Sequence, residues 1–169
     1  MPNVELEACP TDKRTVIEAM FQLYVHDFTE YWQGMDRGEL QEDGRFPDYP
    51  GLDRYWTEPE RSAWLIRVGG HLAGFALLSA ASHSGRPADH DMAEFFVARK
   101  HRRGGVGFAA ASQLIAPRKG LWEIAVTRSN VGAQAFWRRV AAEMAAGEVD
   151  EQWMQDERWN GQILRFDVA

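Results

Sequence analysis

Apolar and acidic residues alternate over Val4-Glu5-Leu6-Glu7-Ala8, the period of a strand with one face in water. Pro10-Thr11-Asp12 stops that strand and offers a helix start. From Lys13 to about Tyr31 the period lengthens. Val16, Ile17, Met20, Leu23, Tyr24 and Phe28 fall at helical spacing and predict one long amphipathic helix. Residues 33–56 carry no period: Gly34, Gly38, Gly44, Pro47, Pro50 and Gly51 interrupt them, with acidic and aromatic residues interleaved. A connection this long inside a compact domain is usually functional or disordered. Asp53-Arg54-Tyr55-Trp56 offers one short helical turn within it.

Two apolar runs, 62–68 and 71–80, flank Gly69-Gly70, which is a hairpin signal. A polar loop over 82–89 leads to a third strand at 90–97. A helix of small residues opens after a glycine turn and ends near Ala116-Pro117. Residues 121–126 read as a strand, and a helix runs from Asn130 to about Ala145, with Gly147 behind it. Segments 148–154 and 162–168, separated by Asn160-Gly161, predict a closing hairpin. Antiparallel strands thus come first, followed by a single strand–helix–strand crossover over 90–126. That order calls for a mixed α/β sheet and not a doubly wound parallel one.

A chain of 169 residues is most simply one domain with a real core. The net charge of −6 argues against general nucleic-acid binding, although Arg99-Lys100-His101-Arg102-Arg103 makes a local basic patch. The single cysteine, Cys9, allows no intrachain disulfide, which fits a reducing, cytoplasmic setting. The N-terminal residues show neither a basic region nor an apolar core of a signal peptide. The longest apolar stretch is about half a membrane span, so the expectation is a soluble protein without a membrane partner. No spacing of histidines and carboxylates makes a metal site.

Arg102-Arg103-Gly104-Gly105-Val106-Gly107 lies between the third strand of the meander and the small-residue helix. Free N–H groups at a helix start, with the helix dipole, attract anions. Glycines let the backbone close on the ligand, and arginines add charge-assisted hydrogen bonds. Taken alone, so short a motif reads equally as a glycine loop with solvated arginines.

Arg102-x-x-Gly105-x-Gly107, behind a strand ending in Phe95-Phe96-Val97, resembles the acetyl-CoA signature of the GNAT N-acetyltransferase superfamily. The segment Asn130-Val131-Gly132-Ala133-Gln134-Ala135-Phe136-Trp137 resembles the same family's asparagine–alanine–aromatic helix. The element order agrees over nearly the whole chain. The resemblance implies one GNAT-like domain over 1–169, a mixed, mostly antiparallel sheet of six to seven strands flanked by about four helices. It implies acetyl-CoA as cosubstrate and no metal. The pyrophosphate would rest on the N–H groups of 102–107, where Phe108 continues the helix, and the pantetheine arm along Phe96, Val97 and Ala98. Asn130, Ala133, Phe136 and Trp137 would line the other wall, although Asn130 also serves as a plain helix cap.

Transfer to an amine requires the amine neutral, so a base must take its proton, directly or through water. The resemblance points to Glu94, on the strand flanking the cofactor. Side chains alternate along a strand, so only one parity faces the cleft. Glu94 serves if that parity is even, Asp91 if it is odd. Many relatives carry a tyrosine where this chain has Trp137, and an indole cannot act as the acid for a leaving thiol. Tyr24, Tyr31, Tyr49 or water then remains for that role, or the protein is a weak or inactive catalyst. The first helix and the long loop, with Tyr24, His26, Tyr31 and Trp32 among many carboxylates, are the expected acceptor side. They suit a cationic amine, small or on a peptide or protein, and read equally as a solvated acidic loop packing its aromatics on the core. The expectation is an N-acetyltransferase, monomer or homodimer. The alternatives are a non-catalytic acyl-CoA-binding or sensor module and transfer of a longer acyl group.

Overall fold

The computed structural model describes residues 2–169. Its strands are β1 (Val4–Ala8), β2 (Ser62–Val68), β3 (His71–Ser79), β4 (His90–Val97), β5 (Gly120–Thr127), β6 (Asp150–Gln155) and β7 (Asn160–Val168). Its helices are α1 (Arg14–Phe28), α2 (Arg54–Thr57), α3 (Val106–Ile115) and α4 (Val131–Met144). The strands form one sheet in the order β1-β2-β3-β4-β5-β7-β6. Only β4 and β5 run parallel. This is the mixed sheet that the hydrophobic pattern predicts, with the mostly antiparallel pairing, seven strands and four helices that the family resemblance implies.

The sheet is covered on both faces. Ile17, Tyr55, Leu65, Phe75, Leu77 and Phe96 pack on the side of α1 and α2. Leu114, Ile115, Trp122, Ile124, Val140 and Phe166 pack on the side of α3 and α4. The inner strand β3 is buried from Ala73 to Ser79, which explains its unbroken apolar run. Gly74 sits within it because a β-carbon there would collide with the Phe96 carbonyl of β4.

Two local features differ from the pattern. The first helix ends at Phe28, and residues Thr29–Tyr31 continue as a single 3-10 turn. The closing hairpin turns at residues 156–159, where the Arg158 N–H donates to Asp156 Oδ1 at 2.8 Å. Asn160 and Gly161 lie inside the ladder, opposite Gln155 and Met154. The glycine is there for close approach: a β-carbon at 161 would strike the Val126 carbonyl of β5.

Candidate active site

β4 and β5 are in register only at His90↔Trp122 and Asp91↔Glu123, and they part beyond those pairs. The Ala98 N–H donates to the Ala73 carbonyl of β3 at 2.7 Å. Phe96 and Ala98 therefore spend their backbone groups on β3, and alternation turns those of Phe95 and Val97 into the gap. The Phe96 side chain lies under α1, 5.8 Å from the Tyr24 ring, and Ala98 packs on the same face. The gap is thus an open strand edge, suited to an extended ligand that pairs with it.

At the end of β4 the chain curls through Arg103 (φ 64) and Gly105 (φ 85) into α3. Among the described residues the N–H groups of 105–108 make no backbone hydrogen bond, whereas that of Gly104 closes the turn over 102–103, and the first intrahelical bond is Ala109 N–H to Gly105 O. Consecutive free amides at a helix N-terminus form an anion cradle. Gly104 and Gly105 are exposed and Val106 is buried, so Val106 offers only its backbone. The Phe108 ring lies under the Arg139 guanidinium, 4.5 Å from it. Gly107 faces Phe136, whose ring would sit 3.4 Å from an added β-carbon. The Arg102 side chain does not point into this cradle. Its Nε donates to the Val97 carbonyl at 2.6 Å, and its other end pairs with Asp27 of α1, which Arg99 also binds at 2.8 Å.

The parity question on β4 has a structural answer. Leu77 pairs with Glu94 but Leu78 pairs with Met92, so Ala93 is the extra residue of a bulge. Met92 and Phe95 face α3 and α4, whereas Ala93 and Phe96 face α1. Asp91 and Glu94 consequently share the α1 face despite their opposite parity. Glu94 is half-buried, and its Oε2 accepts a 2.7 Å hydrogen bond from the Tyr24 hydroxyl. Burial raises its carboxyl to about 7, against hydrogen bonds from Tyr24 and Tyr49 that pull it down. Burial also raises Asp91 to about 7, opposed by a hydrogen bond from Ser79 and assisted by the charges of Glu123 and Glu94. Asp91 is only 1% exposed, which leaves Glu94 as the carboxylate an incoming molecule can reach.

Aromatic residues wall this face. Burial pushes the Tyr24 hydroxyl well above its ordinary range, with the Glu94 charge adding to it. Tyr49 lies 3.5 Å from Tyr55, hydroxyl to hydroxyl, and burial raises both. Tyr31, in the turn after α1, reaches across to Asn130 Oδ1 at 3.4 Å. That oxygen also accepts the Ala133 N–H at 3.1 Å and so caps α4. Trp137 is buried, its ring 5.2 Å from Phe95 and 4.8 Å from Phe136. Tyr24, Tyr31, Glu94 and Asn130 are thus brought around one gap. His26 instead lines an open hollow of about 290 Å³ with Leu23, Asp27, Phe96, Ala98 and Arg99. Trp32 stacks on Phe28 under the Arg37 guanidinium.

Sequence reading passes over the pair Glu123–Arg165, set opposite each other on β5 and β7 and both buried. Burial alone would raise the Glu123 carboxyl, but hydrogen bonds from Ser84, the His83 and Ser84 N–H groups and Arg165 outweigh it and hold the carboxyl low. The pair pins the 82–87 loop over the sheet, with Arg165 also binding the Arg86 and Pro87 carbonyls. A charge set inside each of two apolar runs, Leu-Trp-Glu-Ile and Ile-Leu-Arg-Phe, is the signal that the sequence carries. Among the described residues no cluster of three or more His, Cys, Asp or Glu could hold a metal ion, and no helix is long and apolar enough to cross a membrane.

The model of the Acetyltransferase (GNAT) family matches residues 17–141. Solved structures share the fold over almost the full length. An acetyltransferase from Thermus thermophilus is 16% identical with a TM-score of 0.67, covering 99% of this chain and 100% of that one. A GNAT-family acetyltransferase from Staphylococcus aureus is 9% identical with a TM-score of 0.63, covering 98% and 99%. One from Elizabethkingia anophelis, with acetyl-CoA bound, is 12% identical with a TM-score of 0.58, covering 98% and 99%. No curated protein sequence matches the chain.

Proposed function

The chain belongs to the acetyltransferase (GNAT) family, and from that premise we propose that it is an acetyl-CoA-dependent N-acetyltransferase acting on a primary amine, with Glu94 as the base. The carrying observation is the placement of Glu94: a reachable carboxyl, raised to about 7, beside the gap between β4 and β5. A base titrating near the working pH combines a deprotonated population with a useful proton affinity.

The residues fit the cosubstrate. Consecutive amides, 105–108, lie without backbone partners at the N-terminus of α3 and match the acceptor oxygens of a pyrophosphate. The edge groups of Phe95 and the N–H of Val97, whose carbonyl is held by Arg102, match the amides of a pantetheine arm. Acetyl-CoA supplies the electrophilic thioester carbonyl. The protein holds the amine on the α1 face, between Tyr24, Tyr49 and Phe28, and Glu94 takes its proton. The aromatic wall and the carboxylates favour a cationic acceptor, on a small molecule or on a peptide.

Trp137 supports a second reading, a CoA-binding module without turnover, because its indole supplies no acid to a leaving thiol. Calorimetry with acetyl-CoA tests the shared premise, and no binding at high micromolar concentration overturns both readings. Thiol release across a panel of amines separates them: amine-dependent release supports the enzyme, and tight binding without release supports the module.

A further inference from the structure

Attack of an amine on a thioester forms a C–N bond and breaks a C–S bond, and the sulfur leaves with a negative charge that a nearby donor can neutralise. Trp137 cannot be that donor. The chain has four tyrosines. The Tyr24 hydroxyl already donates to Glu94 at 2.7 Å. Tyr49 and Tyr55 face each other at 3.5 Å on the Glu94 side of the gap. Of these four, only Tyr31 reaches the opposite wall, where its hydroxyl meets Asn130 Oδ1 at 3.4 Å.

That contact is long, and it goes to an oxygen already satisfied by the Ala133 N–H at 3.1 Å. A stronger acceptor arriving in the gap can take the Tyr31 hydrogen at little cost. The ring itself is fixed. Phe28 stacks on Trp32 with ring centres 5.8 Å apart and meets Tyr31 edge-on at 6.5 Å, while the Thr29 hydroxyl donates to the His26 carbonyl at 2.6 Å. Glu94 stands on β4, and Asn130, which the Tyr31 hydroxyl meets from the turn after α1, follows the end of β5, so the carboxyl and the phenol stand at the two diverging strands.

We propose that Tyr31 is the hydrogen-bond donor and acid for the departing CoA thiol, a role that rests on the acetyl-transfer reading above. In the step, the amine proton passes to Glu94, the C–N bond forms, and the C–S bond breaks with its electron pair on sulfur. The phenolic proton of Tyr31 goes to that sulfur, and the phenolate regains a proton from solvent.

The test reads the thiol of bound CoA directly. Thiolate ultraviolet absorbance is taken as the difference between complexes with CoA and with its desulfo analogue, so that the protein's own tyrosines cancel. A phenol aimed at the sulfur favours the thiolate. Tyr31→Phe, which keeps the ring on Phe28, is expected to bind CoA as the wild type does. At a pH of about 7.5 its bound thiolate fraction should be roughly tenfold smaller. With an accepted amine, its kcat should fall about tenfold or more while KM for acetyl-CoA holds. An unchanged thiolate fraction in Tyr31→Phe overturns the proposal. The readout needs no acceptor, so failure to turn over any amine refutes the acetyl-transfer reading separately.

Discussion

The Tyr24 hydroxyl of α1 donates to the Glu94 carboxylate of β4 at 2.7 Å, tying the acceptor-side helix to the proposed base. The bond favours the ionised carboxylate and opposes the burial that raises it to about 7. Tyr24→Phe should therefore push the Glu94 pKa higher still. The acid limb of the kcat/KM profile should move to higher pH, with the largest loss of rate near neutrality and recovery in alkaline buffer. A uniform loss at every pH would instead assign Tyr24 a purely structural role.

Asp91 predicts a stability effect with a definite sign. Its folded pKa, about 7, stands above the ordinary 3.8. Its favourable contribution is fully present below the unfolded pKa and is lost as pH rises through about 7, where ionisation costs buried charge. Asp91→Asn keeps an acceptor for Ser79 and cannot ionise. The variant should gain about 1–2 kcal/mol over the wild type at a pH of about 8, or roughly 3–6 °C in Tm. The gain should shrink toward a pH of about 5. Calorimetric Tm values at both pH values check this, and a pH-independent difference would contradict it.

The anion cradle can be disturbed without touching the core. Gly105 adopts φ 85 and is exposed. Gly105→Ala forces a β-carbon into the left-handed region at about 1–2 kcal/mol and favours a reshaped loop. CoA affinity should fall about tenfold by calorimetry, while pantetheine, which lacks the pyrophosphate, should lose little. Equal losses for both ligands would move the anion site elsewhere.

Much of this arrangement was legible in the sequence, because periods of two and near four set the strands and helices before any contact is known. The glycine turn and the Asn130 cap were legible too, as local backbone chemistry. The bulge at Ala93 was not. It arises from the pairing of β3 with β4, and strict alternation separates Asp91 from Glu94 when the folded strand unites them. The engagement of Arg102 with Asp27, far apart in sequence, was hidden for the same reason. Gly161 misled because a glycine needed for close approach to β5 looks like a turn glycine in one dimension.

The Glu123–Arg165 pair should behave as a buried ion pair whose breakage is costly. Glu123→Gln leaves the Arg165 guanidinium buried without a countercharge and loosens the 82–87 loop. Urea denaturation should show a loss of about 3–5 kcal/mol. A loss below about 1 kcal/mol would mean that the loop is held by its other contacts.

The most direct measurement of the central claim is amine-dependent thiol release from acetyl-CoA, followed across pH for the wild type and Glu94→Gln. The wild-type rate should rise through an apparent pKa of about 7, the value to which burial brings Glu94. Glu94→Gln should lose about a hundredfold in kcat/KM together with that limb, while acetyl-CoA binding persists. Wild-type rates and an unchanged pH profile in Glu94→Gln would contradict the assignment.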